Sequence, residues 1–329
     1  MKRFFIKLFC FILIVSSALI IVPSCDKPIK YSTGLEYTLN DTETGYIVTS
    51  LGECEDVDVN IPSTYNNLPV TEISRGAFKD EMKITSVTLP NSVTNIGAFA
   101  FINCINLTSI TLPNNLTEIS RYLFSGCNAL ESISIPATVT TIGDYAFSKC
   151  AKLTSITLPN GLTSLGKAVF SECEGLTEIT IPNTVKKIEN TTFYRCYALK
   201  SVTLSNTLTS IGDTAFWQCT NLETITIPDS VESIGGLAFF GCSKLNNVTI
   251  GAGVERLMFM PFKNCNALTT ITFVDPSNWY RTTDEKDCYS KLGGEKVNIT
   301  NELSNFIDYN AEYYWFKSGD INIEDPDWL

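Results

Sequence analysis

Cysteine is the residue type in this 329-residue chain whose number and spacing could most readily support chemistry. Thiols form disulfides, ligate metal ions and, once ionised, act as nucleophiles. Within the regular repeats, eight of the chain's twelve cysteines recur at a fixed interval of 23 residues. Such an interval is typical of a solenoid, in which each repeat buries its apolar face only against its neighbours. The eight are Cys104, Cys127, Cys150, Cys173, Cys196, Cys219, Cys242 and Cys265.

The stacking of a solenoid constrains what these thiols can do. Neighbouring coils would place equivalent Cα atoms about 4.8 Å apart, within the range that a disulfide permits. Parallel Cα–Cβ bonds would keep the Cβ atoms equally far apart, beyond the roughly 3.5–4.5 Å of a usual bridge. We therefore expect buried thiols that pack as small apolar side chains, with disulfides or a metal site as the alternatives. Cys54 and Cys288 lie in irregular flanks, and we make no pairing prediction for them.

The composition argues against the common catalytic and metal-binding systems. Histidine is absent, which removes Ser-His-Asp and Cys-His catalysis and every imidazole ligand. The acidic pairs at 284–285 and 324–325 lack the spacing of a calcium loop, so we interpret them as solvated. A net charge of −11 disfavours nucleic acid as a partner. We predict no enzyme activity, no catalytic residue, no cofactor and no metal site.

Other residue types recur at the same interval as the cysteines, and a set of residues at one position of successive repeats is called a column below. In the unit from Cys104, Ile110 and Leu112 alternate with polar residues, which predicts a short strand that Pro113 ends. A second extended piece follows at 116–119, and 121–127 is too short for more than a turn or a single helical turn. The core columns are leucine at 107, 130, 153, 176, 199, 222, 245 and 268, and phenylalanine at 78, 101, 124, 147, 170, 193, 216, 239 and 262.

Two kinds of outward-facing residue are candidates for ligand contact. A hydroxyl row, Thr or Ser at every 23rd position from 88 to 272, is either a solvated sheet face or a flat surface for a repetitive ligand. Aromatic side chains occupy one column on three successive coils, with Tyr197 one turn away; the three are Tyr194, Trp217 and Phe240. A second aromatic trio lies two residues before the core phenylalanine, at Phe99, Tyr122 and Tyr145. Aromatic clusters are candidate binding hot spots, and the alternative is packing along the turn edge.

The N-terminus carries the features of an export signal. Basic residues precede an apolar stretch at 8–22, which is short for a membrane span, and Cys25 follows small residues. We predict a lipoprotein signal peptide over 1–25 with lipidation at Cys25, so that the lipid anchors the exported chain to a membrane. Secretion without a lipid and a transmembrane anchor are the alternatives.

The remaining chain divides into three predicted parts. Residues 26–56 are predicted to form a tether and an N-terminal hairpin cap, because the exposed end of a solenoid needs covering. Residues 57–273 form the solenoid of about nine 23-residue repeats. Residues 274–329 form a C-terminal cap with an acidic tail, or alternatively a separate functional domain.

The repeated A-F-x-x-C turn and the strand ending in I-P or L-P resemble the BspA-type leucine-rich repeats of bacterial surface lipoproteins, over residues 57–273. The flanks at 34–37 and 279–283 are similar as well. The resemblance implies a β-rich repeat solenoid with short parallel strands and turn or short helical segments, capped at both ends. It also implies an adhesin-like protein at the cell surface or outer membrane that binds protein or glycan, from host matrix or other bacteria. A structural envelope protein without a specific ligand is the alternative.

Overall fold

A computed structural model of the protein describes residues 30–283, 295–296, 298 and 313–317. The chain divides into two compact units, Met1–Lys30 and Tyr31–Leu329, and the solenoid belongs to the second. The described residues form strands and turns without an α-helix, and hence without a helix suited to crossing a membrane. The predicted signal peptide with Cys25, the thiol of Cys288 and the acidic pairs lie outside the described residues.

The chain winds into about ten coils, which confirms the predicted solenoid. Most regular coils contribute one strand to each of two rows, and strands within a row are parallel and shifted by one repeat, as in the pairing of Ile225 with Val248. The first row contains β3 (Asp58–Asn60), β6 (Ser86–Thr88), β8 (Ser109–Thr111), β12 (Glu178–Thr180), β14 (Ser201–Thr203), β16 (Thr224–Ile227), β18 (Asn247–Ile250) and β20 (Thr270–Phe273). The second contains β5 (Leu68–Ile73), β7 (Asn95–Ile96), β9 (Glu118–Ile119), β10 (Thr141–Ile142), β11 (Ser164–Leu165), β13 (Lys187–Ile188), β15 (Ser210–Ile211), β17 (Ser233–Ile234) and β19 (Arg256–Leu257).

Alternation of side chains explains why the first-row strands form where they do. In β8, Ile110 is buried between the exposed Ser109 and Thr111, as a strand with one face on the core requires. Pro113 then ends the extended segment, and its carbonyl accepts a hydrogen bond from the amide of Leu116 at 3.2 Å. The hydroxyl row from 88 to 272 lies on the outer face, as predicted.

The core is a continuous stack of phenylalanine rings. All nine rings of the core column are fully buried, and adjacent ring centroids lie between 5.0 and 5.8 Å apart. Interplanar angles stay at or below 18°, so the rings are stacked along the solenoid axis. Because each ring contacts its counterpart in the coils before and after, each coil depends on both neighbours for burial of its own phenylalanine.

In each regular coil, a corner connects the second-row strand to the ladder cysteine, as residues 121–127 do. The sequence predicts a turn or a single helical turn for this segment, and the structure has turns. Two residues in each of these corners, four positions apart, have positive φ, for example Tyr122 at 55° and Gly126 at 78°. A left-handed residue cannot continue a right-handed helix, so the segment reverses direction instead. Alternate residues bond to the next coil: the amide of Phe101 donates to the carbonyl of Leu123 at 3.1 Å.

Asparagine and aspartate side chains reinforce stacking at another corner. Asn190 Oδ1 accepts the amide hydrogen of Asp213 at 2.9 Å, and Asp213 Oδ1 in turn accepts that of Gly236 at 2.6 Å. The short side chains thus satisfy amides that a turn would otherwise leave to water. Gly212 lies at the same corner, where a Cβ would come within 2.6 Å of the Asn190 nitrogen. Glycine is therefore required there for close approach of two coils.

The cysteine ladder is buried beside the phenylalanine stack. Every one of the eight thiols donates a hydrogen bond to the carbonyl of the phenylalanine 26 residues earlier, at Sγ–O distances such as 3.0 Å for Cys104 and 3.2 Å for Cys150. All eight are free and fully buried, which confirms their predicted burial, and Cys54 is also buried. Burial raises the pKa of the Cys104 thiol to about 12. These cysteines pack as small apolar residues.

The first row of strands is interrupted in the middle of the array. Residues 132–135 and 155–158 form no strand, and within residues 30–283 none of their amides donates a backbone hydrogen bond. An open cleft of about 570 Å³ lies there, lined by residues of 132–137 and 157–160. The second row continues past it through the paired strands β9, β10 and β11. Coil-to-coil attachment at this point therefore depends on the second row and the corners.

Additional strands cover the two ends of the solenoid. They are β1 (Glu36–Leu39), β2 (Tyr46–Ser50), β4 (Thr64–Tyr65), β21 (Trp279–Thr282), β22 (Glu295–Lys296) and β23 (Tyr314–Lys317). The hairpin of β1 and β2 pairs with β5, and β23 pairs antiparallel with β19 and with β21. Trp279 of β21 and Trp315 of β23 are fully buried. Both ends of the second row are therefore paired, so β5 and β19 do not present an open sheet edge there.

The stacked core predicts that Phe170 controls folding. Its ring lies 5.8 Å from that of Phe147 and 5.6 Å from that of Phe193, and it is fully buried. We expect Phe170→Ala to lower the free energy of unfolding by about 3–5 kcal/mol through lost burial and a cavity. The exposed Thr157→Ala should change it by about 0.5 kcal/mol or less. Urea titration of both variants measures this, and equal losses would contradict the assignment of the inward face.

The buried ladder predicts slow thiol chemistry in the folded protein. Because the eight cysteines are buried, a thiol reagent should label almost none of their Sγ atoms before denaturation. After denaturation without a reductant, it should label at least the eight ladder cysteines. Counting fewer than about six at that stage would mean that neighbouring coils are bridged, against the Cβ separation expected for parallel stacking.

Candidate ligand-binding site

The residues Tyr194, Trp217 and Phe240, hereafter the C-terminal aromatic column, occupy the position directly after the buried core phenylalanine. Backbone bonds between coils fix their spacing: the amide of Arg195 donates to the carbonyl of Trp217, and that of Gln218 to Phe240, both at 2.7 Å. The three preceding coils carry serine at this position, and those serines are buried: Ser125, Ser148 and Ser171. A large side chain here cannot fit the space of a serine, so it must extend outward.

The three rings of the C-terminal aromatic column stack on one another. The centroids of Trp217 and Phe240 lie 4.0 Å apart at an interplanar angle of 18°. Those of Tyr194 and Trp217 lie 6.2 Å apart at 28°. All three side chains are partly buried, so each ring packs against the solenoid and leaves part of its surface to solvent. The arrangement is a short ridge of aromatic surface that runs along the solenoid axis.

Arg195 adds a cation to this ridge, and our sequence reasoning missed it. Its guanidinium carbon lies 5.1 Å from the centroid of the Tyr194 ring, and its Nε donates to Gln218 Oε1 at 3.2 Å. A cation over an aromatic face is held in place by the ring quadrupole. The sequence did contain a signal for this contact. Arg195 and Gln218 directly follow Tyr194 and Trp217 and are 23 residues apart, which places them side by side on neighbouring coils.

Tyr197 lies near this group without joining its stack. It is partly buried, and within the described part of the chain its ring contacts none of the three rings. Its carbonyl instead accepts a hydrogen bond from Asn221 Nδ2 at 2.7 Å, which ties the coil to the next one. The structure therefore brings three of the four candidate contact residues together.

The described residues offer an arrangement for binding and little for catalysis. In the part of the chain that the structure covers, no three cysteine, aspartate or glutamate side chains gather as ligands of a metal would. Burial raises the pKa of the Cys150 thiol well above its ordinary value, so that thiol stays protonated. A protonated and inaccessible thiol is a poor nucleophile. The exposed features are instead aromatic rings, a guanidinium and rows of hydroxyls, all of which suit recognition.

Comparison with known proteins places this solenoid in a family. The family model described as the BspA type leucine rich repeat region matches residues 71–200 and 186–314 in six copies. The structure is similar to a leucine-rich repeat protein of T. pallidum at 32% identity, covering 57% of this chain and 88% of that one with a TM-score of 0.53. It is also similar to one from Bacteroides ovatus at 28% identity, covering 76% and 72% with a TM-score of 0.59.

No curated protein matches the chain. The family model nevertheless covers most of the solenoid as well as the segment that follows it, and both structural neighbours are leucine-rich repeat proteins of bacteria. The chain belongs to the BspA-type leucine-rich repeat family.

Proposed function

We propose that this chain is an exported, lipid-anchored surface protein whose solenoid binds a protein or glycan ligand. Bacterial proteins of the BspA type are typically surface-exposed, and leucine-rich repeat proteins typically mediate protein interactions. The family and its structural neighbours are repeat scaffolds rather than enzymes. The finer parts of the proposal, namely adhesion to host matrix or to other bacteria and the site of contact, rest on the residues discussed below.

The C-terminal aromatic column carries the proposal for the contact site. Three large rings replace serine on consecutive coils, and each adds apolar surface that the buried serines of other coils do without. Stacking rigidifies the rings before any ligand arrives, which lowers the entropy lost on binding. Arg195 and Gln218 supply polar groups at the margin of the same ridge. Rigid aromatics bordered by an arginine have the composition of a binding hot spot.

Attachment to the membrane is proposed through Cys25, with the described residues of the second unit forming the exposed part. The supporting observation is the order of basic residues, an apolar stretch and a cysteine in the first 25 residues. The three acyl chains of a mature lipoprotein exceed the two signals that stable anchoring needs. The residues between Cys25 and β1 would then link the lipid to the hairpin that caps the solenoid.

The contact site predicts a loss of affinity from one substitution. We expect Trp217→Ser to weaken binding by at least about thirtyfold, which corresponds to about 2 kcal/mol, because the central ring of the ridge is lost. Affinity should be measured for the purified full chain on arrays of extracellular-matrix proteins, bacterial surface extracts and glycans. Thermal melting of the same samples reports whether the variant remains folded.

The matched control is Ser148→Ala, which alters the same column on a coil without an aromatic residue and should leave affinity unchanged. A second variant, Tyr194→Ser, removes a ring that is less tightly stacked and should also weaken binding. Unchanged affinity in Trp217→Ser for every ligand found, or loss of folding in both aromatic variants, would assign the column to packing. Absence of saturable binding by the wild-type chain would favour a structural role in the envelope.

The anchor predicts lipid attachment at a single thiol. Cells that express the wild-type chain should incorporate labelled palmitate into it, and Cys25→Ser should abolish that label, since the thiol is the acceptor. Cys10→Ser in the apolar stretch is the control and should leave labelling intact. Label that persists in Cys25→Ser would refute the assignment, and an unlipidated mature N-terminus would indicate ordinary secretion.

A further inference from the structure

A second group of aromatic rings, hereafter the N-terminal aromatic column, lies on earlier coils at a different position of the repeat. It consists of Phe99, Tyr122 and Tyr145, each two residues before a core phenylalanine. Ring centroids are 4.9 Å apart for Phe99 and Tyr122 and 4.6 Å apart for Tyr122 and Tyr145, with interplanar angles of 10° and 7°. All three side chains are partly buried. This stack is closer and more nearly parallel than the contact of Tyr194 with Trp217.

The backbone at these positions does not favour aromatic residues. Phe99, Tyr122 and Tyr145 have φ values of 65°, 55° and 57°, in the left-handed region that is costly for bulky side chains. Other coils fill the same position with smaller or aliphatic residues: Gly76, Ala168, Thr191, Thr214, Leu237 and Met260. The fold therefore accepts several residue types here. Three aromatics in succession must be explained by what their side chains contact.

Two arginines border the N-terminal aromatic column. The guanidinium carbon of Arg75 lies 4.7 Å from the centroid of the Phe99 ring, and that of Arg121 lies 5.4 Å from it. Arg121 is also 5.5 Å from the centroid of Tyr122. Both arginines are exposed. The rings thus hold two cations at fixed positions two coils apart, a separation of about 10 Å along the solenoid axis.

Neither guanidinium has an acidic partner. Among the described residues, no carboxylate forms a salt bridge with Arg75 or Arg121, and neither side chain donates a hydrogen bond. Asp144 is an acidic residue beside this column, and its Oδ1 accepts the amide hydrogen of Lys167 at 2.8 Å. In a chain of net charge −11, two exposed arginines that form no ion pair with the described residues leave their guanidinium donors available to an acidic ligand.

We propose that Arg75, Arg121 and the N-terminal aromatic column form a second binding site, for an acidic polysaccharide. A guanidinium matches the planar geometry of carboxylate and sulfate groups and can bind them through two parallel hydrogen bonds. A linear polysaccharide whose acidic groups recur along its length can reach both arginines at once. The tyrosine rings offer an apolar face and a hydroxyl to the sugar between them. The site does not depend on Tyr194, Trp217 or Phe240, which lie on later coils.

Binding of the full chain to immobilised heparin, a sulfated and carboxylated polysaccharide, tests the proposal. We expect saturable binding that weakens at least about tenfold in the double variant Arg75→Gln/Arg121→Gln. The matched control is Lys186→Gln/Lys187→Gln, which removes the same charge from two exposed lysines near β13 and should change affinity less than about twofold. Neutral dextran should not bind. The conservative variant Arg121→Lys keeps the charge and should still lose affinity, because lysine lacks the planar fork.

Four results would overturn the proposal. The first is that the wild-type chain does not bind heparin, and the second is that the lysine control loses as much heparin affinity as the double arginine variant. The third is that Arg121→Lys binds heparin with wild-type affinity. The fourth is that polyglutamate binds as tightly as heparin and that this binding also depends on the two arginines. The second would mean that binding follows net charge alone, and the last would assign the site to acidic peptides. Trp217→Ser should bind heparin normally, so failure at one aromatic column can be told apart from failure at the other.

Discussion

Every coil of this protein must present the same bonding surface to the next, and the rest of the structure depends on that constraint. Backbone amides, asparagine side chains, phenylalanine rings and cysteine thiols all contact counterparts about one repeat away, as in the pairing of Ile142 with Leu165. A residue that faces inward on one coil is therefore enclosed by its equivalents before and after it. Burial comes from stacking, because no single 23-residue unit can enclose an apolar core alone.

The same constraint explains why recognition residues occur as columns. A side chain that projects from one coil lies about 4.8 Å from the equivalent side chain of the next. Three aromatic residues at 23-residue spacing consequently form a ridge, and arginines beside them are held over ring faces, as with Arg195 and Tyr194. The framework fixes the positions, while the residues that project from the turns vary. Surfaces of quite different chemistry can therefore be displayed on one backbone.

Much of this fold is readable from the sequence because its periodicity is nearly perfect. The phenylalanine and cysteine columns fix the inward face, and the alternation in segments such as 109–112 fixes the strands. Other features were not predictable. Residues 132–135 alternate as regularly as their neighbours yet form no strand, since pairing depends on the geometry of adjacent coils. The contact of β23 with β19 joins residues nearly 60 positions apart, which no local pattern records. The positions of Arg75, Arg121 and Arg195 over aromatic rings were not predicted either. They follow from side-chain packing at corners whose residues with positive φ are of many types, so no single residue type identifies them in the sequence.

Each coil contacts only the coils directly before and after it, and this affects how such an array can evolve. Unequal recombination that adds or removes whole 23-residue units would leave every junction between coils with its usual partners. An insertion of another length must be looped out between strands, as the five extra residues between Val59 and Ile73 are, or it would shift phenylalanine, cysteine and asparagine out of register with the preceding coil. A gene of this kind can therefore lengthen or shorten by duplication, and an aromatic or arginine column can be copied and moved along the axis without a new core having to evolve.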